Sequence, residues 1–172
     1  MTITVEDGSG VEDANSYIDE AFVTAFATSR GFTAPSTTEL AEQYILKAMG
    51  YLNFYRPCFK GKKSLATNAL AWPRTEVFID GFEFSDSLIP DELRYAQAQL
   101  VIEQANGTPL YPTVLTSSTE GFVTQSTIGP LTEKYSDKGL GVTSQYKPIR
   151  IQSVMNFLDT VLVDLRLSTV KV

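Results

Sequence analysis

Ala69-Leu70-Ala71-Trp72-Pro73-Arg74, continued by Ile89-Pro90-Asp91-Glu92-Leu93, divides this chain into two pairs of expected helices. Pro73 removes a backbone donor and biases Trp72 toward extended backbone, so the stretch is not helix interior. The only tryptophan, set beside a fixed turn and a guanidinium, reads as the anchor of a loop, with Trp72 and Pro73 as the pin. A contact residue for a partner is the alternative reading of Trp72. The same stretch closes the most basic part of an acidic protein. Arg56, Lys60, Lys62, Lys63 and Arg74 lie between 56 and 74 without a single carboxylate.

Working outward, Ser16-x-x-Asp19 is a capping pattern for a first helix over roughly 16–29, ended by Gly31. Ile18, Ala21, Phe22, Ala25 and Phe26 recur on one face of it. Pro35 and the box Ser36-x-x-Glu39 open a second helix whose buried side is Leu40, Tyr44, Ile45, Ala48, Met49 and Leu52. Pro90 opens a third, with Asp91 and Glu92 on the positive end of its dipole and Asn106-Gly107 as its stop. Pro148 opens a fourth with an apolar stripe from Ile151 to Leu165. Around Asp80-Gly81, Val77-Phe78-Ile79 and Phe82-x-Phe84 spell a small hairpin. Phe122–Ile128 and Leu131–Tyr135, broken at Gly129-Pro130, read as two strands of a β-hairpin arm. Residues 2–5 read as a short extended arm, and the tail 169–172 as a strand or a free end.

The expected fold is therefore mainly α: a four-helix core with long loops and a small β-hairpin arm. One domain spans 1–172, its helical core at about 16–107 and 148–167 and its projecting loops at about 56–88 and 108–147. With 43% hydrophobic and 20% charged residues the composition is that of a globular protein, not a disordered one. A net charge of −6 opposes non-specific DNA binding unless positive charge is segregated, and here it is. The first twenty residues hold Glu6, Asp7, Glu12, Asp13, Asp19 and Glu20 and no Lys or Arg. Glu6, Asp7, Glu12 and Asp13 on one copy could thus face Arg56, Lys60, Lys62, Lys63 and Arg74 on the next. A lone cysteine, Cys58, excludes an internal disulfide. The N-terminus does not read as a signal peptide, and no apolar run is long enough to span a membrane.

There is no histidine, which removes the commonest general base, the commonest zinc ligand and every Ser-His-Asp or Cys-His arrangement. No catalytic, metal or cofactor site emerges, and the chain is not expected to be an enzyme. A small enzyme is the third and weakest reading. Gly61-Lys62 fails as a phosphate-binding loop, because Arg56 stands where a glycine is required. Nucleic-acid binding is the stronger rival: Tyr51, Phe54, Tyr55, Phe59 and Trp72 interleave with the five cations in the manner of a single-strand stacking surface. The alternative is that these aromatics continue the core face of the second helix.

Val5-Glu6-Asp7-Gly8-Ser9-Gly10-Val11-Glu12-Asp13-Ala14-Asn15-Ser16-Tyr17, Ala48-Met49-x-Tyr51-Leu52, Phe59-Lys60-Gly61-Lys62, the central segments quoted above with Arg94 and Ala96, and Ile128-Gly129-Pro130-Leu131 with Tyr135 occur in a telling order. Together they resemble a family encoded by tailed bacteriophages, labelled DnaT-like single-stranded DNA-binding and found among head–tail connector (adaptor) proteins. The resemblance implies a virion component that forms a twelvefold ring with copies of itself. Such a ring sits between the portal protein and the tail or tail-completion proteins, around a channel whose passing dsDNA it touches at most weakly. It implies residence at the head–tail interface of the virion, and in the host cytoplasm before assembly. Portal contact is expected from the arm at 110–136 or from 137–172. The alternative it implies is a single-stranded DNA-binding module.

Overall fold

A computed structural model describes residues 2–111, 125–128, 131–134 and 148–163. Among these residues four helices stand in the expected order: α1 (Glu20–Arg30), α2 (Thr38–Phe54), α3 (Asp91–Ala105) and α4 (Gln152–Leu158). Asp19 caps α1 by accepting the Phe22 N–H at 2.8 Å, and Gly31 ends it with a left-handed φ of 70°. Ser16, expected at that cap, is instead buried, with its hydroxyl donating to the Ile18 carbonyl at 2.6 Å. Thr37, not Ser36, caps α2 by accepting the Leu40 N–H at 3.2 Å. Pro90 precedes α3 and Asn106 ends it, as the punctuation of the sequence requires.

α3 is the axis of the core and packs against each of the other three helices. Leu93, Ala96, Ala98, Leu100, Val101 and Ile102 are buried around nearly its whole circumference, and so are Gln97 and Gln99. Gln97 joins three elements: its amide donates to Ser16 Oγ (2.8 Å) and the Ile45 carbonyl (3.3 Å), and its oxygen accepts the Tyr17 N–H (3.1 Å). A buried amide satisfied on three sides fixes the registry of the N-terminal segment, α2 and α3.

The segment 56–88, expected to project as a whole, lies against the helices over residues 59–77, and only its hairpin around residues 78–88 stands in solvent. After a short 3-10 turn at Arg56–Cys58, the segment folds onto the helices with Phe59, Leu70, Ala71, Trp72 and Val77 all buried. Two hairpins of two residues per strand shape it: β1 (Lys62–Lys63) with β2 (Arg74–Thr75), and β3 (Phe78–Ile79) with β4 (Phe82–Glu83). The second turns at Asp80-Gly81, where the dipeptide predicts it. Gly61 is obligatory: its φ is 68° and a Cβ there would lie 2.2 Å from the Thr75 carbonyl oxygen. The Trp72–Pro73 bond is cis.

α4 is shorter than the apolar stripe suggests. The stripe continues through Val161 and Leu162, both buried, but there the chain pairs edge-on with residues 58–60 through Lys60 N–H to Val161 O (3.0 Å) and Val163 N–H to Cys58 O (2.8 Å). Continuity of apolar spacing did not distinguish a helix from a turn that buries the same side chains. Residues 111–149 make a separate compact unit, in which β5 (Gln125–Ile128) pairs antiparallel with β6 (Leu131–Lys134). These strands occupy the heart of the expected hairpin arm. Phe122, Tyr135, residues 112–124 and 135–147 of the expected portal-contact stretches, and the tail 169–172 lie outside the described residues.

Candidate nucleic-acid interface

The stacking surface anticipated at 51–74 is not present. Tyr51, Tyr55, Phe59 and Trp72 are buried, and only Phe54 of the five aromatics is exposed. Trp72 is fully enclosed, edge-on to Phe59 and Phe84 at centroid distances of 6.2 and 6.1 Å, and its backbone N–H reaches the Tyr17 hydroxyl at 3.2 Å. The cations are largely spent as well. Arg74, 9% exposed, donates to the carbonyls of Lys60 (2.6 Å), Gly61 (2.7 Å), Ala71 (3.3 Å) and Phe59 (3.4 Å). Lys60 Nζ donates to the Thr160 carbonyl at 2.7 Å, and Lys63 Nζ to the Asn68 carbonyl. Lys62 pairs with Glu76 at 2.9 Å on the open surface, and Arg56 is exposed. A segment without carboxylates satisfies its cations on backbone carbonyls.

The acidic half of the expected interface is revised in the same way. Asp7, Glu12 and Asp13 are exposed, but Glu6 is 1% exposed and its Oε1 accepts the N–H groups of Gly8 and Gly10, each at 2.9 Å. Glu6 is the internal clasp of its own loop, and Arg74 that of another. Neither displays its charge on the surface, and both are withdrawn from that face-to-face charge pairing.

The structure instead collects cations and rings on α1, α3 and α4. Tyr95 of α3 lies 6.2 Å from Phe22, nearly parallel to it, 5.8 Å from Phe26 and 5.9 Å from Phe157 of α4. The Arg94 guanidinium sits 4.4 Å over the Phe22 ring. That of Arg30 lies 4.4 Å from the Phe26 centroid, 5.2 Å from Tyr95 and 5.3 Å from Phe157. Phe22, Tyr95 and Phe157 are half-buried and Arg30 is exposed, so rings and guanidiniums meet solvent together. Asp91 holds Arg94 at 3.3 Å and offsets part of its charge. The signal was in the sequence: Phe22, Phe26 and Arg30 repeat every four residues along one stripe of α1. Spacing puts Phe22 and Phe26 on one apolar face with Ile18, Ala21 and Ala25, and spacing alone does not say where the core ends.

Among the described residues no helix is long and apolar enough to cross a membrane, and no cluster of His, Cys, Asp and Glu could hold a metal ion. The profile of the family described as "Putative DnaT-like ssDNA binding protein" matches residues 1–171, and the chain belongs to that family. No curated protein and no solved structure matches it.

Proposed function

We propose that this chain is a non-catalytic single-stranded DNA-binding protein that holds its strand on the α1–α3–α4 face. The observation that carries this is the continuous array Arg94–Phe22–Tyr95–Phe157 with Arg30 above it. Bases stack on half-exposed rings, and the two guanidiniums stack on bases or pair with phosphates. Membership of a family so described supports the same reading. Two cations in a protein of net charge −6 make for modest affinity and a shallow salt dependence. Anisotropy of a labelled oligo-dT should therefore give a log–log salt slope of about −1.4, two phosphates at roughly −0.7 each. Arg30→Gln with Arg94→Gln should lower the affinity at least about tenfold. An oligonucleotide that does not bind at low salt sinks this reading.

A second reading is the head–tail connector ring of a tailed phage, bound to portal and tail-completion proteins. The exposed Phe78 (57%) and Phe82 (79%) favour it, because their hairpin carries Glu76, Asp80, Glu83 and Asp86 around them. That surface repels phosphate and suits a protein partner. Sedimentation with the portal ring tests it: co-migration in fixed stoichiometry supports the ring, and a persistent monomer removes it.

A further inference from the structure

A cleft of about 370 Å³ opens between the loop at residues 5–7, the segment 84–89 and the first turn of α3. Its size is at the lower end for small-ligand sites. The acidic residues Glu6, Asp7 and Asp91 line it, against one basic residue, Arg94. Its guanidinium is already committed to Asp91 and to the Phe22 ring. The Ser9 hydroxyl and N–H hold the Asp7 carboxyl below the usual carboxylate range, so Asp7 is charged at neutral pH.

Glu6 is the decisive residue. Its Oε1 is occupied by Gly8 and Gly10, whereas Oε2, also removed from solvent as part of a residue 1% exposed, has no partner among the described residues. A buried carboxylate oxygen without a partner costs free energy that a bound donor would recover. Phe84, Leu88 and Ile89 form apolar walls beside it, with Leu88 half-exposed at the rim. No metal-holding cluster exists among the described residues, so the complement is an organic cation with an apolar body.

We propose that this cleft binds an ammonium or guanidinium carried on an aliphatic stem, its head paired with Glu6 Oε2 and its stem against Phe84, Leu88 and Ile89. The proposal does not rest on the DNA-binding reading, although the cleft shares Arg94 with the α1–α3–α4 face. The carboxylates beside it disfavour a phosphate in the cleft itself.

Titration of the ¹⁵N-labelled full chain with N-acetyl-arginine N-methylamide tests it, with the isosteric but neutral citrulline compound as control. Saturable shifts are expected at the Gly8 and Gly10 N–H groups, with affinity about tenfold weaker for citrulline. Glu6→Gln keeps an oxygen for both glycines and should lose the preference for arginine. An equal response to citrulline on the unaltered chain, or shifts confined to other surfaces, overturns the proposal even if the variant misfolds. Undiminished preference in a folded Glu6→Gln chain overturns it too. Agmatine separates the sources: binding tighter than the blocked arginine points to a free amine ligand, and equal or weaker binding to a side chain of a partner protein.

Discussion

Trp72 is the chain's only tryptophan and has no solvent exposure, so its fluorescence reports on the core and not on any ligand. Its emission should be blue-shifted and resistant to acrylamide, and saturating oligonucleotide should leave it unquenched. Strong quenching by a single strand would mean that the indole can be reached, and would restore the stacking surface read from residues 51–74. The anchoring role was legible because an indole next to a proline turn leaves few other arrangements. Gln97 and Glu6 were not legible. Nothing in a lone glutamine or an Asp-Gly-Ser-Gly turn says which backbone groups will need partners, since those needs arise only when segments 80 residues apart close on each other, as Tyr17 and Gln97 do. The ionisable side chain in such a place looks like surface charge until its neighbours are known.

At the scale of elements, the long connection shows how a basic segment becomes interior. Helices betray themselves by spacing and caps, so all four were expected, with their ends displaced by a few residues where Asp19 and Thr37 won the cap. The connection has no period to read. It is held by Trp72 on one side and by the fork of Arg74 on the other, which ties residues 59–61 to residue 71. A lysine cannot span four carbonyls, because its ammonium lacks the planar fork. Arg74→Lys is therefore expected to cost about 1.5–3 kcal/mol in urea unfolding, the range for hydrogen bonds to a charged group. A change within about 0.5 kcal/mol, typical of a surface position, would mean that apolar burial alone fixes the connection.

Across the whole molecule the question is what the separated charges are for. The exposed acids Asp7, Glu12 and Asp13 and the exposed cations Arg56 and Lys62 survive folding as candidates for contact between copies, whereas Lys60 and Lys63 are engaged by their own backbone. Reversing Lys60, Lys62 and Lys63 together would thus confuse assembly with stability. The cleaner variant is Arg56→Glu with Lys62→Glu. It leaves the Arg74 fork intact and loses only the surface pair to Glu76, an interaction worth about 0–1 kcal/mol. In the ring reading this variant should keep its melting temperature within a few degrees, the shift expected of so small a change. It should also stop forming the ring with the portal in sedimentation, while its oligonucleotide affinity, which rests on Arg30 and Arg94, stays unchanged. Assembly that persists at physiological salt would show that opposite charges do not join the copies. Oligonucleotide binding lost together with assembly would move the DNA contact from the α1–α3–α4 face to the basic segment.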